Sequence, residues 1–212
     1  MAGGRATVPR GRHAPPLEVR LEVQRQRLFD AAAAVFARSG YADASAESIS
    51  REAGMSKATF YEHFANKEEC ILALFDEGAR TVLEAMAQAT AAAGDDSRDR
   101  MRAGINAFLG QIASHSNESQ TLLVEIIGAG PRAAERRDAI LETFASALYE
   151  EAEHAARTGQ GTGFATREDA FAVIAAGAEL ASRQLRLGTP ADPRELEPVL
   201  ERVLLGALSQ AQ

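Results

Sequence analysis

Alanine-rich segments bounded by helix-capping residues recur along the chain, and this pattern limits the fold more than any other feature. Alanine loses no side-chain entropy when a helix forms, so the runs at 31–34 and 91–93 favour α-helix. β-branched and aromatic residues, which strands prefer, are sparse. Gly and Pro separate the segments. The sequence therefore predicts an all-α protein with about nine helices.

The predicted helices follow from apolar spacing and capping signals. A first helix is expected over about 23–38, ending at Gly40, and a short second helix over 46–53 behind Ser45. A very short third helix follows Ser56, and Asn66 opens a long fourth helix in a capping-box variant with Glu69. Later helices are expected at about 97–114, 117–128, 131–157, 166–187 and from 192 onward, with Pro198 distorting or delaying the last.

Charge is unevenly distributed along the sequence. The whole chain carries a net charge of −7, which argues against a protein coated in positive charge. Residues 1–27 nevertheless hold six arginines against two glutamates. The chain has two lysines, Lys57 and Lys67. A basic N-terminus on an acidic body predicts that one end of the molecule contacts an anion.

Cysteine content and hydropathy indicate the compartment. Cys70 is the sole cysteine, so no intrachain disulfide forms and a reducing compartment fits. On an apolar helix face it is expected to be a small hydrophobe and not a redox sensor. No secretory signal and no stretch of 18 apolar residues occurs. The expectation is a soluble protein of the bacterial cytoplasm.

Residues 45–64 are predicted to form a helix-turn-helix around the turn Gly54-Met55-Ser56. Gly54 suits the turn because it adopts positive φ at no steric cost. The side chains expected to pack the two helices together are Ile49, Ala53 and Phe60. Those expected to face outward are Lys57, Thr59, Glu62 and His63, with Tyr61 to one side. Such a polar surface suits base edges and phosphates in the major groove.

The N-terminal block resembles the tetracycline-repressor (TetR) family. The resemblance rests on the alanines at 31–34, Phe36, Gly40-Tyr41, Ser45, Ile49, the run Ala53-Gly54-Met55-Ser56-Lys57-Ala58-Thr59-Phe60-Tyr61-Glu62-His63-Phe64, and Asn66-Lys67-Glu68. It implies a DNA-binding head over 21–68 and a helical effector-binding and dimerisation body over 69–212, while the mixture of Gly, Pro and Arg predicts a disordered basic tail over 1–20. The head and body are expected to join rigidly near 65–69, through the fourth helix.

The resemblance also implies DNA-binding roles for seven residues. Those implied to contact bases or nearby phosphates are Lys57, Ala58 and Thr59, and those implied to bind phosphates are Tyr61, His63, Ser45 and Lys67. The chain departs from the family pattern at Ala58, where glycine is frequent, at Ser48, where an acidic residue is frequent, and at Cys70, where leucine is. For the arginine tail two interpretations remain: an unstructured leader, or an arm that reaches an adjacent minor groove.

The last two helices, about 166–187 and 193–208, carry apolar residues on two faces. Together with the resemblance, this predicts a homodimer with a four-helix, two-fold interface; the alternative is that both faces are monomer core. A dimer would place its reading helices about 34–36 Å apart on a near-palindromic operator.

The resemblance implies a small-molecule cavity among the middle helices. The candidate wall residues are Phe108, Gln111, His115, Leu122, Glu125, Ile126, Phe144, Leu148 and Phe171. The alternatives are a solvated or structurally paired role for Glu125 and a helix-end role for His115. The effector itself is not readable from these residues.

No motif of catalysis accompanies these features. The sequence lacks a Gly-rich phosphate loop after a strand, zinc-ligand spacing and a nucleophile elbow, and its four histidines lie on separate elements. The prediction is a transcription regulator without catalytic residues, cofactor or metal, most simply a repressor that a small molecule releases from its operator. The rival hypothesis is a helical interaction protein whose helix-turn-helix no longer touches DNA.

Overall fold

The computed structural model describes residues 16–209, and within this range nine α-helices and two 3₁₀ helices form with no strand. The all-α prediction is confirmed. The α-helices are α1 Leu17–Asp43, α2 Ala46–Ala53, α3 Lys57–His63, α4 Lys67–Ala92, α5 Ser97–Ser114, α6 Ser116–Leu123, α7 Pro131–Thr158, α8 Arg167–Leu187 and α9 Glu197–Ser209. The 3₁₀ helices are Glu125–Gly128 and Pro193–Leu196. No helix in this range is long and apolar enough to cross a membrane.

Helix α1 is longer than predicted at both ends. It begins at Leu17, so the expected disorder is wrong for residues 17–20, while residues 1–15 lie outside the described range. Pro16 precedes the first turn and Glu18 lies within it, where a negative charge stabilises the helix dipole. Gly40 (φ 76°, ψ 159°) breaks the helix where its end was predicted, and a further turn continues to Asp43.

Local capping residues form the helix-turn-helix as predicted. The Ser45 hydroxyl accepts from the Ser48 amide at 3.1 Å, and the Ser48 hydroxyl accepts from the Ser45 amide at 2.9 Å. Gly54 ends α2 in the left-handed conformation (φ 65°). The Ser56 hydroxyl then accepts from the Thr59 amide at 3.0 Å and starts α3. Short-range hydrogen bonds therefore position α3 against α2.

A continuous apolar core holds the three-helix head. Its fully buried members include Leu28, Phe36, Ile49 and Phe60, each stabilising the fold by roughly 1.5–3 kcal/mol. Cys70 lies in the same core, and burial raises the pKa of its thiol to about 12. The thiol therefore stays protonated near neutrality, as expected of a small hydrophobe.

The head core continues into the body. Ile126 in the 3₁₀ helix after α6 belongs to the same buried cluster as Phe36 and Phe60. So do Ala129, which caps that 3₁₀ helix, and Ala133 in the first turn of α7. Leu122 and Ile140 pack against this cluster. The head is consequently attached to the body by shared core packing as well as by α4.

Two helices differ from their predicted bounds in instructive ways. The helix expected over 117–128 stops at Leu123, because Val124 (φ −119°, ψ −59°) leaves helical geometry and a 3₁₀ helix follows. At the other end of the body, the 3₁₀ helix Pro193–Leu196 precedes α9, and Pro198 lies in the first turn of α9. The predicted effect of Pro198 is confirmed, since regular helix is delayed until Glu197.

Candidate nucleic-acid interface and ligand cavity

Helix α3 buries one face and exposes the other. On its inner face the Phe60 side chain is fully buried. On its outer face Lys57, Ala58 and Glu62 are exposed, and half of the Tyr61 surface is accessible to solvent. The side chains predicted to face outward therefore do so, with Thr59 and His63 half-buried. The exposed face offers an ammonium and a phenol hydroxyl beside a small methyl group.

The polar side chains of this face differ in how far neighbouring residues hold them in place. The Lys57 Nζ lies 6.0 Å from the centre of the Tyr61 ring, so the two side chains lean together along the exposed face. The Thr59 hydroxyl is 2.9 Å from the Ser56 hydroxyl, and His63 Nε2 is 3.4 Å from Gln24 Oε1. Thr59 and His63 are thus partly fixed by neighbours within the head.

The α2 N-terminus presents a second polar group on the head surface. Ser45 is exposed, and its hydroxyl lies 3.2 Å from the Ser48 hydroxyl in the capping box. Unpaired backbone amides and the helix dipole make such a terminus favourable for an anion. In this cap the Ser48 hydroxyl accepts the hydrogen bond of the Ser45 amide, at a position where the family often has an acidic residue.

Lys67 lies at the N-terminus of α4, as predicted, and its ammonium is held within the head. Its ammonium donates to the carbonyl oxygens of Tyr41, Ala42 and Ala44 at 2.8, 2.9 and 3.0 Å, and lies 4.5 Å from the centre of the Tyr41 ring. An ammonium has three protons, and these contacts use all of them. The geometry supports a role in closing the C-terminal end of α1, and the predicted phosphate contact stays a prediction.

Two N-terminal arginines also hold the head together, which sequence reasoning missed. The Arg25 guanidinium lies 4.9 Å from the centre of the Phe29 ring and 5.2 Å from that of Phe64. Arg27 donates to the Ala53 carbonyl oxygen at 2.7 Å, at the end of α2. Part of the N-terminal positive charge is therefore structural.

A cavity of about 370 Å³ lies within the body. Its wall is predominantly apolar and is formed by residues of α4 to α9. The predicted wall residues Phe108, Leu122, Phe144 and Leu148 do line it. An apolar chamber with few polar groups is the usual form of a small-molecule site.

The other predicted wall residues lie elsewhere. His115 is exposed at the C-terminal cap of α5, which is its helix-end alternative, and Gln111 is half-buried off the wall. Phe171 precedes the cavity-lining part of α8, which begins at Val173. Ile126 is buried in the head core. Apolar periodicity within one helix did not indicate which neighbouring helices enclose the space.

Glu125 joins the body to the head. Its Oε2 accepts from the Tyr41 amide at 2.9 Å, and its Oε1 accepts from the Gln120 side-chain amide at 3.2 Å. The carboxylate is therefore structurally paired and absent from the cavity wall, where it was one of the predicted residues. It connects the segment after α6 to the turn that follows Gly40.

Helices α4 and α6 meet at a contact that excludes a side chain. A Cβ at Gly78 would lie 2.6 Å from Leu122 Cδ1, which is closer than van der Waals contact permits. The same Leu122 lines the cavity and packs on the head core. One side chain thus touches the chamber, the long helix α4 and the head.

The cavity wall includes charged groups that sequence reasoning missed. Arg100 donates to both oxygens of Glu151, at 2.6 and 2.9 Å, and both side chains are three-quarters buried. The Arg100 hydrogen bonds hold the pKa of Glu151 below its usual value. Arg137 also lines the cavity. These residues carry no distinctive local motif in the sequence.

Replacing Glu151 with glutamine is expected to cost about 1–2 kcal/mol of stability near neutrality, because a charged, bidentate pair is broken. Because the pKa of Glu151 is lower in the folded protein, the pair contributes its full stabilisation at pH values above the unfolded pKa of about 4.3. This stabilisation is lost as the pH falls through the folded pKa of Glu151. Urea unfolding from pH 7 to pH 3 measures both effects. An E151Q variant with an unchanged acid profile would contradict them; Glu135→Gln, which changes an exposed carboxylate, is the control.

The packed head with the exposed face of α3 is a helix-turn-helix unit, and the body behind it contains an apolar cavity. Residues 28–74 match the family model of bacterial regulatory proteins of the tetR family. Over these residues, which run from within α1 to within α4, the chain is similar to that family. Two curated relatives are named as an HTH-type transcriptional activator and an HTH-type transcriptional regulator, in agreement with the prediction that the chain is not an enzyme.

Two curated relatives are similar in part of their length. The chain is 33% identical over 102 residues to the HTH-type transcriptional activator FasR of Mycolicibacterium smegmatis, covering 48% of this chain and 46% of the relative. It is 35% identical over 60 residues to the fatty acid metabolism regulator protein of Bacillus subtilis, covering 28% and 31%. The chain thus spans less than half the length of these relatives.

Solved structures are similar over nearly the whole fold. The fatty acid degradation regulator FadR from Bacillus halodurans superposes with a TM-score of 0.78 at 21% identity, covering 87% of this chain and 96% of that one. FadR from Bacillus subtilis in complex with stearoyl-CoA gives 0.73 at 20% identity, covering 86% and 98%. At these identities the likeness establishes the fold.

Proposed function

We propose that this regulator is a repressor that binds operator DNA through α3 and leaves it when a fatty acyl ligand fills the body cavity. The observation that carries the proposal is Leu122, which lines the cavity while it presses on Gly78 of α4. Because α4 begins directly after the head, a ligand that displaces Leu122 is in a position to move the head.

The DNA contacts are proposed on the exposed face of the head. Lys57 and Ala58 lie at the start of α3, where a recognition helix meets base edges, and Tyr61 follows one turn later. Thr59 and His63 lie on the same helix, and Ser45 lies at the start of α2. The exposure of Lys57 and Tyr61 supports these roles against a head that has lost DNA binding.

The chemical class of the effector is proposed from the wall of the cavity. Phe108, Leu141 and Phe144 contribute to a surface that favours hydrocarbon over water. Two similar proteins carry fatty acid metabolism or degradation in their names, and one similar structure holds stearoyl-CoA. A long acyl chain is accordingly the ligand proposed for this chamber.

Fluorescence anisotropy tests the proposal directly. DNA fragments selected by the protein from genomic DNA are titrated with and without saturating stearoyl-CoA, and coenzyme A alone is the control. Release is expected as a roughly 5–150-fold rise in Kd for DNA, the usual range of allosteric coupling. Equal DNA affinity with and without ligand contradicts release, and tighter DNA binding with ligand contradicts derepression by an effector.

Replacing Lys57 with alanine is expected to weaken binding to the selected DNA about tenfold or more, since a base or phosphate contact contributes about 1–3 kcal/mol. If Lys57 pairs with phosphate, the slope of log Kd against log salt also falls by about one. Anisotropy at several salt concentrations measures both. Arg157→Ala, which removes an exposed charge at the far end of α7, is the matched control, and equal losses in the two variants contradict the assignment.

We further propose that two chains pair through α8 and α9. Leu187 is 60% exposed and Val203 36% exposed in the single chain, and the small residues Ala175 and Ala176 on α8 permit close helix approach. Many other apolar residues of these helices, such as Ala181 and Leu204, are buried inside the chain. The proposed interface is therefore narrower than the sequence stripes predicted.

Sedimentation velocity measures the assembly. The unmodified chain is expected to sediment as a dimer, and Ala176→Arg is expected to shift it to monomer because a charge would be buried between the helices. Ala134→Arg on the exposed surface of α7, away from the cavity wall, serves as the control. A monomeric unmodified protein at micromolar concentration, or a dimeric A176R variant, overturns this interface.

A further inference from the structure

We infer that Arg137 binds the anionic group of an elongated amphiphilic ligand at the end of the cavity nearest the DNA-binding head. This inference rests on the proposed function, because it assigns an orientation to the ligand of the same cavity. The shared chemistry is an anion attached to a long apolar body, and the anion is a carboxylate or the phosphate of a thioester carrier.

The charges on the cavity wall do not balance. Arg100 is matched by Glu151 in a bidentate pair. Arg137, the other guanidinium on the wall, has a single ion pair within residues 16–209, at 4.0 Å to Asp138. Asp138 is 73% exposed, so water screens that contact, whereas Arg137 is 27% exposed. The wall therefore carries one guanidinium, that of Arg137, whose carboxylate partner lies off the wall and is exposed to solvent.

The position of Arg137 along α7 gives the ligand a direction. Ala133, one turn before it, and Ile140, one turn after it, both contact the head core. Glu151 lies 14 residues further on, beside the second body cluster that contains Ala152. At 1.5 Å per residue the two charged positions are separated by about 21 Å along the helix.

The wall between these positions is apolar. From α7 it receives Ile140, Leu141, Phe144 and Leu148, with Ala147 beside them. A guanidinium at one end of such a wall favours an anion strongly, because its planar fork forms bidentate hydrogen bonds with carboxylate and phosphate in a site with little water. At the other end of the wall, Arg100 already donates to both oxygens of Glu151, so its guanidinium is neutralised and does not attract a ligand anion.

Isothermal titration calorimetry with three related probes tests the assignment. Dodecanoate, dodecan-1-ol and dodecanoyl-CoA share one alkyl chain, and they differ in carrying a carboxylate, no charge, or the phosphates of a carrier. The unmodified protein is expected to bind at least one anionic probe ten or more times more tightly than the alcohol. Which anionic probe gains the preference identifies the source of the anion.

Arg137→Met is expected to abolish this preference while leaving the Kd for dodecan-1-ol within about twofold, because its unbranched side chain keeps most of the apolar volume. Arg157→Met at the exposed end of α7 is the matched control and is expected to retain the full preference. Arg137→Lys keeps the charge and loses the fork, so an intermediate preference is expected; this variant replaces R137M if the latter does not fold.

The possible failures have different meanings. Equal binding of all three probes by the unmodified protein, or an unchanged preference in R137M, overturns the role of Arg137 and leaves the acyl cavity intact. Equal loss of preference in R157M also overturns that role. Failure of every probe to bind overturns the inference together with the proposed effector class, while DNA binding by the head is measured separately.

Discussion

Replacing Lys67 with methionine is expected to lower the free energy of unfolding by about 3 kcal/mol, because hydrogen bonds to charged groups contribute about 1.5–3 kcal/mol each and water replaces part of the loss. The ammonium donates to the carbonyl oxygens of Tyr41, Ala42 and Ala44, where α1 ends. DNA binding should weaken for every sequence alike, because the head is loosened, whereas its salt dependence should stay the same. Urea unfolding and anisotropy at several salt concentrations measure these quantities.

The salt dependence separates this role from the family's phosphate contact. If Lys67 neutralised a phosphate, its removal would lower the slope of log Kd against log salt by about one unit. Lys57→Ala is the comparison, since Lys57 is exposed and has no ion pair within the described residues. A K67M protein of unchanged stability with a reduced salt slope would show that the ammonium leaves its three carbonyls to bind DNA.

Replacing Glu125 with alanine is expected to remove most of the effector's influence on DNA binding. Its carboxylate accepts from the Tyr41 amide in the head and from Gln120 on α6, so it ties the segment beside the cavity to the end of α1. Without it the roughly 5–150-fold coupling expected for the unmodified protein should fall to about twofold or less. The ratio of Kd values for DNA with and without stearoyl-CoA measures the coupling.

Controls distinguish lost coupling from lost folding. Glu125→Gln keeps an acceptor oxygen for the Tyr41 amide and is expected to retain part of the coupling. Glu135→Ala removes an exposed carboxylate of α7 and is expected to change nothing. Calorimetric binding of stearoyl-CoA to E125A should stay within about threefold of the unmodified value, since Glu125 does not line the cavity. Full release of DNA from E125A by stearoyl-CoA would refute this role.

The helix starts were predictable because their signals are local. Ser45, Asn66 and Thr166 each accept a hydrogen bond from an amide three residues further on, so three or four neighbouring residues suffice to specify the start. The end of α6 was not predictable in this way. Val124 leaves helical geometry with no Gly or Pro beside it, while Ile126 is drawn into the head core by contacts distant in sequence.

For the candidate functional sites, too, features set by neighbouring residues could be predicted and features set by contacts distant in sequence could not. The outward face of α3 could be predicted, because the buried position of Phe60 on a seven-residue helix fixes which side chains remain outside. Lys67 and Glu125 could not be placed, because their partners lie 23–26 and 84 residues away. Arg137 was missed for a similar reason: its position on the cavity wall depends on five other helices.

The contact between Gly78 and Leu122 has a consequence for how such a regulator diversifies. A methyl group at position 78 would overlap the Leu122 side chain, so Leu122 must shift and imitate, with no ligand present, the displacement that the proposal assigns to a bound molecule. Under the proposed repression mechanism, a genetic screen for permanently derepressed cells should therefore recover Gly78→Ala or Gly78→Ser repeatedly. New ligand preferences, by contrast, should arise from substitutions deeper in the chamber that leave this residue unchanged.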